Sequence, residues 1–218
     1  MGDEERNVVI STYTIDPLTQ NSVRKALREV LSYYGCEELL LPIFTCINEL
    51  LVNAVKANYK NIYFENCLPK NRLAGELAYS EALELFRLEI RGEGVATLSR
   101  MAKEKGMSAV LRASVTGGVM NIVVSNNAVM TDIERANISH RIEAVRLLKQ
   151  LSDFFGEDDD PSCEGAGLGI VLVGMMLKSL GLSTDQFEIN AGKESTTASL
   201  TIPLTQNTLE AYRIISRR

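Results

Sequence analysis

A helical pattern over residues 42–58 constrains the fold of this chain more than any other feature of its sequence. The proline at the start of the pattern lies in the first turn, where a helix tolerates a missing amide donor. Apolar side chains converge on one side of this helix: Ile47, Leu50, Leu51, Ala54 and Val55. Such a face must be buried against another layer of the protein. We therefore predict that this helix packs on a sheet.

A polar stripe, formed by Glu49, Asn53 and Lys56, runs along the opposite side of the same helix. The helical spacing of these residues places them in one line. One interpretation is a solvated helix face with a ladder of polar side chains. The other is a metal–nucleotide site, which requires a base, a neutral oxygen ligand for magnesium and a cation for phosphate. The helix alone does not decide between them.

Shorter segments are predicted to form the sheet and the other helices. Alternating or β-branched residues predict strands at residues 8–15, 62–64, 108–116, 119–125, 187–190 and 197–204. Gly117 and Gly118 are typical of a hairpin turn between two of these strands. Helical spacing predicts helices at residues 22–34, 133–155, 169–180 and 209–216. With the helices on one face of the sheet, the predicted fold class is an α/β two-layer sandwich.

Residues 68–106 are harder to assign. A helix is predicted at residues 97–105, and residues 80–88 also have helical spacing. Residues 86–91, however, alternate as a strand would. The sequence pattern therefore leaves the structure of this segment open.

The composition is typical of one globular domain. The 218 residues are 45% hydrophobic and 23% charged, enough for one buried core. A formal net charge of −5 gives no general attraction to nucleic acid or to an anionic membrane. Residues 1–6 are polar and acidic, unlike a signal peptide, and the most apolar stretch, residues 168–182, is too short to span a bilayer. We therefore predict a cytoplasmic protein with neither a membrane nor nucleic acid as a partner.

The cysteines and the histidine do not predict a metal site or a hydrolase. Cys36, Cys46, Cys67 and Cys163 lack paired spacing, so reduced and mostly buried thiols are expected. The single histidine, His140, lies in a polar run without a nucleophile motif nearby. We predict that His140 is an exposed residue near a helix start.

A glycine-rich run at residues 165–169 opens the predicted apolar helix. Closely spaced glycines let a backbone approach an anion, and free amide groups at a helix start can bind phosphate. A Rossmann motif would need a strand before the glycines, but an acidic loop precedes them, and a P-loop would need a following Gly-Lys-Ser/Thr. The alternative is a turn that only allows tight packing of helix on sheet.

Four stretches in this order resemble the GHKL superfamily of ATPases, which use the Bergerat fold and include DNA gyrase, heat-shock chaperones and histidine kinases. Residues 49–56, Glu-Leu-Leu-Val-Asn-Ala-Val-Lys, look like the N box, E-x-x-x-N-A-x-K. Asn126 and Asn127 stand where a D-x-G-x-G box follows a strand, and residues 165–169 look like a G-x-G-L-G box. Residues 196–204 resemble the closing strand. The strand and helix before the N box are most similar to the anti-sigma serine kinases.

The resemblance implies a single histidine kinase-like ATPase domain over residues 1–218, with a mixed sheet and helices on one face. It implies an insertion at about residues 68–106 and an ATP lid at about residues 128–164. ATP and Mg²⁺ are the implied ligands. The implied partners are a regulatory protein and, in a homodimer, a second copy of the chain. The implied activity is that of a serine/threonine kinase, or of a weak ATPase switch.

Site roles follow from the same resemblance, residue by residue. Glu49 is implied as the general base, Asn53 as the Mg²⁺ ligand and Lys56 as a phosphate contact. The implied nucleotide-binding residues are Asn126, Gly165, Gly167, Gly169 and Thr197.

Three positions depart from the family pattern and support an alternative function. The adenine-reading Asp of the family is Asn126 here, and the two glycines of that box are Ala128 and Met130. A neutral amide binds adenine less strongly than a carboxylate does, and two larger side chains fill the space that glycines leave open. The alternative is a non-catalytic interaction module that keeps the fold. A histidine kinase is disfavoured because His140 follows the N box instead of preceding it.

Overall fold

A five-stranded antiparallel sheet forms one layer of the protein. The computed structural model describes residues 6–66, 76–147 and 168–216. The strands are β1 (Arg6–Thr12), β2 (Ala109–Thr116), β3 (Val119–Asn126), β4 (Phe187–Ala191) and β5 (Thr196–Pro203). They are arranged in the order β1-β2-β3-β5-β4, and each neighbouring pair is antiparallel. The prediction of a mixed sheet is therefore wrong for the described strands, because every strand joins its neighbour antiparallel.

The helices form the second layer on one face of this sheet. They are α1 (Pro17–Tyr33), α2 (Leu40–Asn66), α3 (Glu76–Arg91), α4 (Gly94–Glu104), α5 (Asp132–Leu147), α6 (Leu168–Ser179) and α7 (Gln206–Ser216). Alternate strand residues such as Leu111, Ile122 and Leu200 are buried under them. On the other face, Val9 is 64% exposed and Arg112 is also exposed. This arrangement confirms the α/β two-layer sandwich.

Helix α1 begins earlier than its apolar spacing predicts. Asp16 caps the helix, since its side chain accepts a hydrogen bond from the Thr19 amide at 2.7 Å. Pro17 then takes the first helical position, where its fixed φ suits the helix. The first turn has no apolar residue at core spacing. The apolar pattern therefore predicts a helix that begins only at residue 22. Gly35, with φ of +64°, follows the C-terminal end as predicted.

Helix α2 continues through the segment predicted as a strand at residues 62–64. Ile62 is fully buried and continues the apolar face formed by Val55 and Tyr59. The strand prediction is wrong because burial of the apolar helix face outweighs the preference of Ile, Tyr and Phe for strands. Residues Glu37–Asn66 are also long and apolar enough to span a membrane, with a mean hydropathy of 1.5, but half of that window is buried inside the protein. The apolar face of α2 is thus used within the fold.

The described part of the predicted insertion forms α3 and α4, so the strand predicted at residues 86–91 is wrong. Ala82 and Phe86 are buried four residues apart, which is helical spacing. The ring of Phe86 packs against Tyr63 and Phe64 of α2, with centroid distances of 5.8 Å and 6.5 Å. The predicted helix at residues 97–105 is confirmed as α4.

The remaining predictions largely agree with the structure. The hairpin between β2 and β3 turns at Gly117 and Gly118, whose φ values are +57° and +74°. Helix α5 is described to Leu147, and the rest of the helix predicted to residue 155 lies outside the described residues. Helices α6 and α7 and strands β4 and β5 are confirmed with small differences at their ends.

Candidate functional site

The first turn of α6 lies directly against the polar stripe of α2. Gly169 is buried, and a Cβ atom at this position would lie 2.8 Å from Nδ2 of Asn53 and 3.4 Å from Oε2 of Glu49. Only glycine permits this close approach without displacing the Asn53 amide. Glu49 and Asn53 are half-buried as a result, which does not fit a fully solvated ladder. Two features far apart in the sequence therefore meet at one place.

Burial keeps the thiol of Cys46, which lies near Glu49, protonated. Burial raises the pKa of the Cys46 thiol to about 12, and the nearby Glu49 carboxylate adds to this effect. Cys46 is only 1% exposed, so it is a core residue and not a nucleophile. Cys36 is likewise free and buried, as predicted, and Cys67 and Cys163 lie outside the described residues.

Lys56 is exposed, whereas a second lysine of the same stripe is not. Lys60 lies one helical turn beyond Lys56, and its side chain is 15% exposed. Burial lowers the pKa of the Lys60 ammonium to about 8, and Lys60 forms an ion pair with the carboxylate of Glu134. Lys60 was not among the residues predicted for the site, although its spacing of four residues from Lys56 places it on the same side of the helix.

Asn126 ends β3 and is buried on the helix side of the sheet. In one amide orientation Nδ2 donates to Thr196 O at 3.2 Å and Oδ1 accepts from the Ala128 amide at 3.1 Å. In the other orientation Nδ2 donates to Asn58 Oδ1 at 3.4 Å. The first orientation gives both amide atoms a partner, so we assign it. The side chain that the resemblance assigns to adenine is thus already bonded to the backbone.

Asn58 of α2 supports the end of β3. This residue was not predicted from the sequence. This side chain is 1% exposed. Its Nδ2 donates to Met107 O at 3.1 Å and its Oδ1 accepts from the Asn127 amide at 3.1 Å. No sequence motif marks it, because a polar residue on the apolar side of a helix is explained only by its partners.

The structure does not bring Thr197 to the site. Thr196 pairs with Asn126 across β3 and β5, so both side chains lie on the helix side of the sheet. Thr197 pairs with Ser125 and therefore lies on the opposite face. The Thr196 hydroxyl donates to Ala128 O at 2.9 Å, which holds the loop after β3. Thr196 is thus the threonine that neighbours Asn126.

The described part of the predicted lid is a packed helix. Gly174 of α6 lies so close to Val145 of α5 that a Cβ atom at Gly174 would overlap the Val145 side chain. The Lys178 ammonium donates to the carbonyls of Val145 and Arg146 at 2.6 Å and 3.1 Å, at the end of α5. His140 is exposed on α5, as predicted, but in the middle of the helix. Gly165, Gly167 and the acidic run at residues 157–160 lie outside the described residues.

Comparisons with known proteins give one relative. A protein of Treponema pallidum (strain Nichols), described as an uncharacterized protein, is 28% identical over 197 residues. The match covers 90% of this chain and 37% of that protein, so the chain spans little more than a third of its relative. No protein-family model and no solved structure matches the chain.

Proposed function

We propose that this chain binds ATP with Mg²⁺ between α2 and the start of α6, as a GHKL protein with the Bergerat fold. The observation that carries the proposal is the burial of Gly169 against Asn53 and Glu49. A helix start offers unpaired amide groups to a phosphate, and the polar stripe offers the groups that a nucleotide needs beside it. The two features are independent in sequence, so their juxtaposition supports one shared ligand.

The side chains present fit a magnesium ion bound together with phosphates. Within the described ranges no group of three or more His, Cys, Asp or Glu side chains forms a complete metal cage. Mg²⁺ commonly takes one or two protein oxygens and completes its shell with phosphate oxygens and water. In this proposal Asn53 supplies one oxygen, and Lys56 contacts phosphate. When bound, the ion neutralises part of the phosphate charge.

Glu49 is the proposed base for phosphoryl transfer to a protein partner, most simply to a serine or threonine hydroxyl. The carboxylate takes the hydroxyl proton as the oxygen bonds to the γ-phosphorus, and the bond from that phosphorus to the bridging oxygen of ADP breaks. With water in place of the hydroxyl, the same steps give ATP hydrolysis and a weak ATPase switch. The cytoplasmic location and the regulatory protein partner are also part of this proposal.

Thermal unfolding with ATP, ADP or GTP, with and without Mg²⁺, tests the binding. A ligand that binds only the folded protein stabilises it by about 2.7 kcal/mol at 100 times its Kd. We expect stabilisation by Mg-ATP, and we expect Asn53→Ala to remove the magnesium-dependent part. Asn48→Ala is the matched control, since Asn48 is a half-buried residue of α2 that bonds to Gln20 at 3.1 Å, away from Gly169. Stabilisation that survives Asn53→Ala would remove Asn53 from the site, and no shift with any nucleotide would refute binding.

A second variant separates binding from catalysis. Glu49→Gln keeps the size and a polar group but cannot accept the proton. We expect this variant to bind Mg-ATP and to lose transfer of the γ-phosphate, measured with labelled ATP. Unchanged turnover would exclude Glu49 as the base.

A non-catalytic interaction module is the second candidate function. It is favoured by the two backbone partners of Asn126 and by the burial of Ala128, which is 4% exposed. The hydrogen bonds of Asn126 leave fewer free polar atoms for adenine, and the buried Ala128 leaves less room for it. A folded protein that no nucleotide stabilises would favour this candidate.

A further inference from the structure

Lys60 is a fourth residue of the polar stripe, and it forms an ion pair with Glu134. Glu49, Asn53, Lys56 and Lys60 follow one another at spacings of four, three and four residues, so they form one line along α2. The first turn of α6 covers the Glu49 end of this line, and Glu134 of α5 covers the Lys60 end. Lys56, between them, is exposed.

Glu134 is held in position by the first turn of α5. Its Oε2 accepts from the amide and the hydroxyl of Thr131, both at 2.9 Å, and its own amide donates to that hydroxyl at 3.2 Å. This is a capping box, which fixes the helix start. Oε1 remains for Lys60, so the ion pair uses an oxygen that the cap does not need.

We propose that Lys60 is a second phosphate-binding cation of the site and that Glu134 occupies it until a polyphosphate replaces the carboxylate. The inference rests on the proposed function and adds regulation of the same site. Lys60 has already lost most of its water in the ligand-free protein, so a phosphate can bind it without that cost. A phosphate also brings more negative charge and more acceptor oxygens than a carboxylate.

The ion pair of Lys60 with Glu134 can break while α5 stays packed on α6. The C-terminal end of α5 is fixed on α6 by the contact of Val145 with Gly174 and by the Lys178 ammonium. The capping box keeps Glu134 attached to the helix start through its other oxygen. Exchange of the Lys60 partner is therefore a local event that links the ligand to the start of α5.

The test compares the affinities of Mg-ATP, tripolyphosphate and adenosine for four proteins: the wild type, Glu134→Gln, Lys60→Met and the double variant. Removing the internal competitor should tighten Mg-ATP and tripolyphosphate roughly tenfold, and Lys60→Met should weaken both by a similar factor. In the Lys60→Met background, Glu134→Gln should bring no gain. Adenosine, which has no phosphate, should bind all four proteins equally.

Glu65→Gln is the matched control for the loss of one negative charge. Glu65 is also paired with a lysine, Lys105 at 2.9 Å, but both side chains are far more exposed, at 52% and 37%. This control should leave every affinity unchanged, and thermal unfolding of each variant verifies that it is folded. A Glu134→Gln variant that binds tripolyphosphate no better than the wild type, or that keeps its gain without Lys60, would overturn the inference.

The two proposals fail in different ways. If Mg-ATP binds and Glu134→Gln does not change its affinity, the proposed function is supported. The proposed exchange of Glu134 for a phosphate at Lys60 is then wrong. If adenosine and Mg-ATP never bind, but tripolyphosphate binding responds to Glu134→Gln, the nucleotide assignment falls and the phosphate site at Lys60 stands. If none of the three ligands binds any variant, both proposals are wrong.

Discussion

Asn126 has a structural need for an amide that a carboxylate cannot meet. One side of its side chain faces Thr196 O and requires an N–H donor, while the other side accepts from the Ala128 amide. Asp has only acceptors when ionised, so its second oxygen would face the Thr196 carbonyl without a proton between them. The departure from the GHKL pattern at this position is thereby explained by the hydrogen bonds that join β3, β5 and the following loop.

Introducing the aspartate of the GHKL pattern should therefore destabilise this protein. We predict that Asn126→Asp lowers the free energy of unfolding by about 1–3 kcal/mol, because it places a buried carboxylate beside the Thr196 carbonyl without a donor between them. We also predict no gain in nucleotide affinity. Thermal unfolding and a titration with Mg-ATP measure the two effects.

The neighbouring residue provides the control. Asn127 is exposed and uses only its Oδ1, which accepts from the Ser108 amide at 2.9 Å, and Asp supplies the same acceptor. Asn127→Asp should therefore cost little. Equal stability of the two Asp variants, or tighter ATP binding by Asn126→Asp, would contradict this account of Asn126.

At the scale of elements, the packing of α5 on α6 depends on one small residue. Gly174 gives the space that the Val145 side chain occupies, and Val145 is 2% exposed. We predict that Gly174→Ala lowers the free energy of unfolding by about 1–3 kcal/mol, since the added methyl overpacks this contact. Chemical denaturation of the variant measures the loss.

A compensating change tests the cause. In the double variant Gly174→Ala with Val145→Ala, the added methyl enters the space that the valine leaves, so the two losses should not add. Gly92→Ala is the control, because a Cβ atom there would lie at an ordinary 3.7 Å from Leu88 O. A Gly174→Ala variant as stable as Gly92→Ala would show that the two helices can separate without cost.

The elements differ in how far the sequence predicts them. The β2–β3 hairpin follows from Gly117 and Gly118, since their positive φ values are a local requirement of the turn. The end of α2 does not follow from local preference. Its aromatic and β-branched residues favour a strand, and the helix continues because Ile62 is buried by tertiary contacts. In α3 the helical spacing of the buried residues Ala82 and Phe86 outweighs the alternation of residues 86–91.

For the whole molecule, the candidate site is predictable only where its parts carry motifs. Glu49, Asn53 and Gly169 lie in recognisable patterns, and they meet in the structure. The pairing of Lys60 with Glu134 cannot be predicted from the sequence, because a lysine and a glutamate on two amphipathic helices are ordinary surface residues until the helices pack. The fold alone determines which charged residues become buried.

Burial of Lys60 also links the stability of the whole molecule to pH. The pKa of this group is lowered from 10.5 to about 8 in the folded protein. Between these values the unfolded chain holds a proton that the folded protein has released, so the free energy of unfolding rises with pH. From about pH 8 to about pH 9.5 this group contributes a rise of about 1.5 kcal/mol.

Denaturation of the wild type and of Lys60→Met across this pH range measures that contribution. We predict that the difference between the two free energies, wild type minus variant, increases with pH by about this amount. Lys105→Met is the control, because Lys105 also pairs with a glutamate but its side chain is 37% exposed, and its difference from the wild type should change less. A difference that stays level or falls as pH rises would mean that the Glu134 carboxylate outweighs the burial of Lys60. The ion pair would then stabilise the folded protein, and a polyphosphate would have to overcome that stabilisation to bind Lys60.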